Sequence, residues 1–300
     1  MKAAHYRAAF FVPPTPLQFR TMSRITRFAP SPTGELHLGH VYAAKVARDM
    51  AQRENGGQFL LRQEDIDSSR VRPEYYQKIE ADLLWLGLDW DGEILLQSQR
   101  STAYEAALET LRKLGLVYPC FCTRREIQEE LTRIHGAPHS GENTPYPGIC
   151  RHLDPQQTAE LIANGSPHCW RLDSAAAREI HGELHFHDLR FGQIKVDPSL
   201  NGDVVLARKD IGIAYHLAVV VDDEFQAITH VTRGEDLLSA THVHRQLQAI
   251  LGYREPEYFH HRLVLDENGK RLAKRDAARS IRSLRESGMS AREVIGLLGI

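Results

Sequence analysis

Two histidines flank a glycine at the start of a helix-like stretch, and they form the first group that could do chemistry. His37, Gly39 and His40 follow the strand-like run Ile25–Ala29 and open the helix-like run Leu38–Glu54. A helix N-terminus offers unpaired N–H groups and a positive dipole end, which favour a phosphate. Imidazoles there can donate hydrogen bonds to a polyphosphate, and Gly39 has no Cβ to keep a flat ring from the backbone. Alone, this pattern also fits a proline-rich loop with two surface histidines.

A basic run late in the chain could supply the other half of a nucleotide site. Lys270–Arg275 reads Lys-Arg-Leu-Ala-Lys-Arg and follows the turn-forming residues Asp266–Gly269. A loop lysine, Lys274 here, can close over a triphosphate and neutralise charge that develops during attack on the α-phosphorus. A solvated basic loop explains such a run better when it stands alone, so this interpretation depends on the histidine motif.

An acidic cluster follows the second predicted strand. Gln58–Arg62 is a short β-rich run, and Glu64, Asp65 and Asp67 come directly after it. In open α/β sheets, ligands bind at the carboxyl ends of the strands, so we expect these carboxylates near a ligand. The alternative is a solvated acidic loop.

Three cysteines within about thirty positions predict a metal site. Cys120, Cys122 and Cys150 include a Cys-x-Cys pair, which fits a closed structural Zn²⁺ site with four ligands. Unligated buried cysteines are the alternative, and Cys169 is expected to be an ordinary buried residue. Three histidines are ordinary candidates for the fourth ligand: His135, His139 and His152.

The order of predicted elements is typical of a doubly wound α/β protein. Strand-like and helix-like runs alternate early in the chain and resume late, which predicts a parallel sheet with right-handed crossovers. The middle of the chain is rich in cysteine, histidine and proline and predicts a smaller insertion domain with a metal at its root. We divide the chain into a disordered or non-native extension (1–22), two α/β halves (23–116 and 203–262), the zinc-binding insertion (117–202), and a lysine-bearing loop with short helices (263–300).

Bulk composition limits the classes of function. The chain has 300 residues, 42% of them hydrophobic and 25% charged, with a formal net charge of −2. This near-neutral charge argues against holding nucleic acid by bulk charge alone, but it is compatible with a local basic surface. No apolar run has the length of a membrane span, and no secretory signal is evident. The cysteines suit a metal rather than disulfides, so we expect a cytoplasmic protein that does not enter a membrane.

Taken together, the motifs resemble those of a known family. The run Arg27–Gly34 (Arg-Phe-Ala-Pro-Ser-Pro-Thr-Gly), the His37–His40 motif, the Glu64–Asp67 cluster and the late lysine loop are similar to those of the class I aminoacyl-tRNA synthetases, specifically the glutamyl subgroup. The similarity covers most of the chain, 23–276. It implies a Rossmann-type catalytic domain split by an insertion that meets the tRNA. It also implies activation of L-glutamate to glutamyl-adenylate by ATP and Mg²⁺.

The resemblance also implies site residues, position by position. Guanidinium forks suit the carboxylates of a dicarboxylic amino acid, and a carboxylate can hold its α-ammonium group. The implied glutamate pocket contains Arg27, Phe28, Ala29, Pro30, Ser31, Glu64, Tyr215 and Arg233. The implied ATP site contains His37, Gly39, His40 and Lys274, and the catalytic groups are His37, His40 and Lys274. The implied zinc ligands are Cys120, Cys122, Tyr146 and Cys150, with Tyr146 favoured by the family pattern alone.

Two features depart from the usual glutamyl pattern. Ala273 and Arg275 replace the serines of the lysine loop, so we expect an altered closing equilibrium while the charge of Lys274 is retained. About 25 residues follow Arg275, which is far too short for a helical anticodon-binding region. In this the chain resembles the truncated members of the family, which attach glutamate to the queuosine base at the wobble position of tRNA(Asp). The expected partners are the tRNA(Asp) anticodon stem-loop, L-glutamate and ATP, bound by a monomer.

Other hypotheses stay open on the sequence. A truncated synthetase could charge a tRNA 3′ end, and a non-catalytic paralogue could bind a nucleotide or RNA as a regulator. Individual residues also have structural alternatives, since Arg233 could simply pair with Glu235 or Asp236.

Overall fold

The structure is a computed structural model, and it describes five stretches of the chain. These are residues 23–53, 56–135, 144–209, 212–264 and 280–299, with the backbone alone at 134 and 135. The predicted extension at 1–22 and the predicted lysine loop with Ala273, Lys274 and Arg275 lie outside the described residues. Both therefore stay predictions.

The described residues form short strands and helices that alternate along the chain. The strands are β1 (Ile25–Phe28), β2 (Gln58–Gln63), β3 (Leu95–Leu96), β4 (Val117–Cys120), β5 (Cys169–Leu172), β6 (His185–Asp188), β7 (Gly192–Lys195), β8 (Val205–Arg208), β9 (Gly212–Ile213), β10 (His230–Gly234) and β11 (Glu257–His261). The α-helices are α1 (Leu38–Gln52), α2 (Pro73–Trp85), α3 (Ser101–Lys113), α4 (Arg124–His135), α5 (Pro155–Ala163), α6 (Ser174–His181), α7 (Tyr215–Phe225), α8 (Leu238–Leu251), α9 (Ile281–Glu286) and α10 (Ala291–Gly296). Short 3₁₀ turns cover Gln97–Gln99, Pro198–Leu200 and Glu235–Leu237.

Parallel strands in the order β3-β2-β1-β10-β11 position the candidate site. β1, β2 and β3 pair in parallel, and β10 pairs in parallel with β11, so that Arg233 lies opposite His260. The two groups meet where the Thr229 N–H donates to the Ile25 carbonyl at 3.0 Å. The strand order reverses at this junction, and ligands bind beside such a switch point. The predicted α/β fold with a parallel sheet is confirmed.

An antiparallel sheet is built from strands on both sides of the predicted insertion boundary. Its order is β4-β5-β8-β9, so β8 and β9 continue a sheet that begins at residue 117. The hairpin of β6 and β7 instead joins the edge of the parallel sheet, with Asp188 of β6 opposite Tyr258 of β11. The predicted insertion thus contributes strands to two sheets, and the division into domains stays a prediction.

Buried apolar faces hold the helices against the strands. α1 buries Val41 and Ala47 and packs on β1, and its small residues allow a close approach. α7 is buried along most of its length, with Leu217 and Val220 packed between α3 and α8. Full burial of one such branched side chain stabilises the fold by about 1.5–3 kcal/mol. Within the described stretches, no helix combines the length and the apolar character that crossing a membrane requires.

Candidate active site and metal centre

The carboxyl ends of the parallel strands line a cavity of about 430 Å³. The ends of β1, β2, β10 and β11 meet there with the first turn of α1. The structure brings these predicted site residues together around it: Arg27, Phe28, Ala29, His37, Gly39, His40, Glu64, Tyr215 and Arg233. Ser31 lines a smaller neighbouring cavity of about 290 Å³, which shares Glu64 and Tyr215 with the larger one.

His37 and His40 cap α1 with their own side chains. Nδ1 of His37 accepts a hydrogen bond from the Gly39 N–H at 3.1 Å, and Nδ1 of His40 accepts one from the His37 N–H at 3.2 Å. The two rings stack with their centroids 3.7 Å apart. Because each Nδ1 is an acceptor, the proton of each neutral imidazole is on Nε2, where it can be donated to an anion.

The His37 ring explains why residue 39 is a glycine. A Cβ at position 39 would lie 3.0 Å from Cε1 and 3.1 Å from Nδ1 of His37, which is tighter than ordinary van der Waals contact. The flat ring that lies against the Gly39 backbone in the structure is the imidazole of His37.

Arg27 lines the cavity but is already paired within the protein. Its Nε is 2.9 Å from Oδ1 of Asp223, and its Nη2 is 3.4 Å from Oδ2 of the same carboxylate. Nη2 of Arg62 also lies 2.6 Å from Oδ1 of Asp223. Burial alone would raise the pKa of Asp223, but the two guanidinium groups outweigh it and hold that pKa below its usual value. The fork predicted for a substrate is thus engaged by Asp223, and Nη1 of Arg27 also donates to the Thr232 carbonyl at 3.3 Å. This leaves one N–H on each Nη of Arg27 for a ligand.

Glu64 is placed at the cavity by a link between two strand ends. Its N–H donates to the Pro30 carbonyl at 2.9 Å, which ties the loop after β2 to the loop after β1. Burial raises the pKa of Glu64 to about 7, although Arg62 and Arg27 act in the opposite direction. The carboxyl group therefore changes between its neutral and ionised forms near neutral pH. An ammonium group beside it would favour the ionised form.

The other carboxylates of the predicted acidic cluster are bonded to protein groups. Asp65 accepts hydrogen bonds from the Ser98 backbone and from the Tyr76 hydroxyl, both at 2.7 Å. Asp67 accepts one from the Ser69 hydroxyl. Of the three carboxylates, Glu64 is the one that borders the larger cavity.

Arg233 is held at the cavity by uncharged groups. Its Nε is 3.1 Å from Nε2 of His260, and its Nη1 is 3.0 Å from Nδ1 of His244. Nη1 also lies 3.5 Å from the Tyr215 hydroxyl, and Nη2 donates to the Thr241 hydroxyl. These contacts fix the plane of the guanidinium group without neutralising it.

The alternative ion pair of Arg233 with Glu235 is not formed. Glu235 pairs instead with Arg190 at 2.7 Å, and no carboxylate among the described residues forms an ion pair with Arg233. Burial, reinforced by the nearby charge of Arg233, lowers the pKa of His260 to about 4 and that of His244 well below its usual value. Both imidazoles are therefore neutral at pH 7, and the guanidinium charge is available to a ligand carboxylate.

Three thiols and one phenol meet at a second site near the end of β4. Sγ of Cys122 lies 3.3 Å from Sγ of Cys150, and Oη of Tyr146 lies 3.4 Å from Sγ of both Cys120 and Cys122. The three sulfur atoms all lie within 4.8 Å of one another. With Zn–S bonds of about 2.3 Å, the ligand atoms of a tetrahedral site are about 3.8 Å apart, so this donor set and its spacing fit a zinc ion.

The surroundings of the four donors also suit a cation with anionic ligands. Burial raises the pKa of the Tyr146 phenol, so a phenolate there requires a positive partner. Cζ of Arg171 lies 3.8 Å from the centroid of the Tyr146 ring, and Nζ of Lys209 donates to the Cys122 carbonyl at 3.1 Å. His152 is exposed and is not part of the cluster in the described residues. The two other candidate histidines lie outside the described residues: His139 and the side chain of His135.

Several groups that hold the site are not evident from the sequence. Asp223 belongs to the buried helix α7, and the pair Asp222–Asp223 inside an apolar run is the one signal that could have revealed it. Asp188 lies 2.7 Å from Nδ1 of His260, which leaves Nε2 of this histidine to accept from Arg233. Nothing in the spacing of the histidines indicates that two of them contact one arginine.

A known family matches nearly all of the chain. Residues 24–299 match the family model described as tRNA synthetases class I (E and Q), catalytic domain. The chain belongs to the class I tRNA synthetases. The family resemblance seen in the motifs is thereby confirmed, and this synthetase is a ligase.

Curated relatives and solved structures resemble this synthetase over most of its length. It is 46% identical to the Glutamyl-Q tRNA(Asp) synthetase of Rhodobacter capsulatus over 92% of this chain and 100% of that protein. It is 44% identical to the protein of the same name from Nitratidesulfovibrio vulgaris over 91% of this chain and 85% of that protein. The crystal structure of a glutamate tRNA ligase from Elizabethkingia meningosepticum, in complex with its amino acid, superimposes with a TM-score of 0.72 at 29% identity. The match covers 89% of this chain and 53% of that one, so the synthetase spans about half the length of that solved structure.

Proposed function

We propose that this synthetase activates L-glutamate with ATP to glutamyl-adenylate, without tRNA, and then transfers glutamate to the queuosine base at the wobble position of tRNA(Asp). The observation that carries the proposal is that Arg233 and Glu64 line the same cavity as the two imidazoles that cap α1. The names of the curated relatives support the acceptor. The glutamate tRNA ligase solved with its amino acid supports the substrate that is activated.

A dicarboxylic amino acid suits the charges of this cavity. The Arg233 guanidinium can bind one carboxylate, and the remaining Nη groups of Arg27 can donate to the same substrate. Glu64 can hold the α-ammonium group, and Tyr215 can hydrogen-bond beside it. Phe28 and Ala29 line the same cavity, and Ser31 lines the neighbouring one. Pro30 borders neither of these two cavities, and its carbonyl accepts the hydrogen bond from the Glu64 N–H.

Activation needs no covalent bond to the protein. A carboxylate oxygen of glutamate attacks the α-phosphorus of ATP in line, the P–O bond to the bridging oxygen breaks, and pyrophosphate leaves with Mg²⁺. Catalysis then consists of positioning and charge stabilisation. The Nε2–H groups of His37 and His40 and the N-terminus of α1, with Gly39 in its first turn, donate to phosphate oxygens. Lys274 is assigned to the charge on the departing pyrophosphate.

Transfer uses the same cavity from the solvent side. A nucleophilic group of queuosine attacks the carbonyl carbon of glutamyl-adenylate, loses its proton to solvent, and displaces AMP as the acyl–phosphate bond breaks. The proposed macromolecular partner is therefore the anticodon stem-loop of tRNA(Asp).

A structural zinc ion is part of the proposal. Cys120, Cys122, Tyr146 and Cys150 would hold it, since three thiolates and a phenolate offer a closed set of four ligands. When bound, it would cross-link the end of β4 to the 146–150 segment. It takes no part in either chemical step.

An acceptor assay tests the proposed function. Exchange of ³²P-pyrophosphate into ATP should require L-glutamate and should proceed without tRNA. Labelled glutamate should then reach tRNA(Asp) that contains queuosine, whereas the matched tRNA(Asp) transcript that lacks the modification should stay unlabelled. Labelling of tRNA(Glu) at its 3′ end would instead establish an ordinary charging enzyme. The absence of exchange with every amino acid would leave a nucleotide- or RNA-binding protein.

A further inference from the structure

His261 presents an unused hydrogen-bond acceptor to the active-site cavity. It is the last residue of β11, is 4% exposed, and lines the larger cavity. Its Nδ1 lies 2.9 Å from the Arg262 carbonyl oxygen, which can only accept. Nδ1 therefore carries the proton of the neutral ring, and Nε2 carries a lone pair. Nε2 has no hydrogen-bond partner in the part of the chain that the structure describes.

The surroundings of His261 differ from the rest of the cavity. The Tyr42 ring approaches it edge-on with centroids 5.1 Å apart. The cavity lining also includes the apolar residues Ala43, Leu263 and Val264 and the charged residues Arg233, Glu64 and Asp236. On the proposed function, the amino acid lies at Arg233 and Glu64 and the triphosphate lies at the start of α1, so the nucleoside lies against the apolar residues.

We propose that Nε2 of His261 accepts a hydrogen bond from the adenosine of ATP and makes this residue a determinant of nucleotide specificity. The donor is either the 6-amino group of the base or a ribose hydroxyl. The triphosphate offers acceptor oxygens alone when it is fully ionised, so it cannot satisfy a lone pair at this position. A buried acceptor without a partner is costly, which is the physical reason for a ligand donor there.

The charge state of His261 agrees with this role. Burial lowers its pKa, and Arg190 acts in the same direction, whereas the Arg262 carbonyl, Asp236 and Glu235 oppose the shift. The ring is thus neutral at pH 7, and its Nε2 stays an acceptor.

Substitution at residue 261 combined with ATP analogues tests the inference. His261→Leu removes the acceptor at similar volume, and His261→Gln returns a polar atom near the position of Nε2. Binding of ATP is measured by calorimetry, and the KM for ATP and the KM for glutamate are measured by pyrophosphate exchange. Three analogues each remove one donor: purine riboside triphosphate, 2′-deoxy-ATP and 3′-deoxy-ATP.

We expect His261→Leu to weaken ATP binding about tenfold, with the KM for glutamate unchanged and with recovery in His261→Gln. One of the three analogues should bind the original protein about tenfold more weakly than ATP and should bind His261→Leu no worse than ATP does. The inference is overturned if His261→Leu binds ATP as the original protein does, or if every analogue loses the same factor in both proteins. Calorimetry keeps this outcome separate from the proposed function, because a protein that binds ATP but catalyses no exchange refutes the function alone.

Discussion

Arg27 and Asp223 are 196 positions apart in the chain, and they form a two-point ion pair beside the candidate active-site cavity. The same carboxylate also binds Arg62, so one buried anion serves two buried cations. Removing one partner of a buried pair is costly because the other charge is left without compensation. This relationship makes Asp223 a stability determinant of the site rather than a substrate ligand.

Asp223→Asn should therefore destabilise the synthetase strongly. We expect the free energy of unfolding, measured by urea denaturation, to fall by about 3–5 kcal/mol. Asp89→Asn is the matched control, since the Asp89 side chain is 69% exposed and pairs with Arg48 at 2.8 Å. Such a surface pair contributes about 1 kcal/mol or less. An equal decrease in the free energy of unfolding of the two variants would show that the buried pair stabilises the fold no more than the surface pair does.

Glu64 should give glutamate binding a pH dependence near neutrality. Its pKa is raised to about 7 by burial, so the carboxyl group is protonated below that pH and loses its attraction for an ammonium group. We expect the KM for glutamate in pyrophosphate exchange to rise about tenfold between pH 8 and pH 6, in proportion to the ionised fraction. Glu64→Gln should have a high KM that does not follow this profile. If the KM for glutamate varied with pH in the same way in the original protein and in Glu64→Gln, the pH dependence would belong to another group.

Arg233→Lys should separate amino-acid binding from nucleotide binding. Lysine keeps the charge but lacks the planar fork that His260, His244 and Thr241 hold in place. We expect the KM for glutamate to rise about tenfold to a hundredfold, while the Kd of ATP stays within about twofold. Arg112→Lys is the control, because that arginine pairs with Glu109 at 3.1 Å on the exposed face of α3. If the KM for glutamate and the Kd of ATP rose by the same factor, the substitution would have distorted the site as a whole.

Tyr146→Phe should weaken metal binding without removing the thiols. We expect one zinc per chain in the purified protein, and an affinity at least tenfold lower in the variant, measured by competition with a chromophoric chelator. Tyr118→Phe is the matched control, since its hydroxyl bonds Asp203 instead. If His152→Ala lost its zinc while Tyr146→Phe kept the original zinc affinity, the fourth ligand would be His152 and not Tyr146.

Local spacing predicts the parts of the site that local structure builds. His37, Gly39 and His40 sit on one strand–helix turn, so their residue types and order suffice to indicate an anion site there. Glu64 is predicted for the same reason, because it directly follows a strand that the sequence reveals. The α/β order of elements is likewise predicted from the periodicity of hydrophobic residues, which depends only on residues close together in the chain.

Long-range pairing accounts for what the sequence does not reveal. An arginine at the end of β1 suits a substrate carboxylate and an internal aspartate equally well, and the choice depends on how α7 packs against the sheet. The neutral partners of Arg233 come from α8 and β11. They can be identified once the packing of those two elements is known. For the metal, chemistry alone admits a histidine or a tyrosine as fourth ligand, and the choice requires the position of the 146–150 segment.

The contact between β1 and β10 also sets the time at which this enzyme can first act. Ile25 meets Thr229, which is synthesised 204 residues later, and contacts so distant in the chain form late in folding. A nascent chain on the ribosome can already present the histidine turn and Glu64, yet it has neither Arg233 nor a counter-charge for its early arginines. On the proposed function, glutamate activation requires Arg233 and its partner His260, so it can begin only after translation has passed β11.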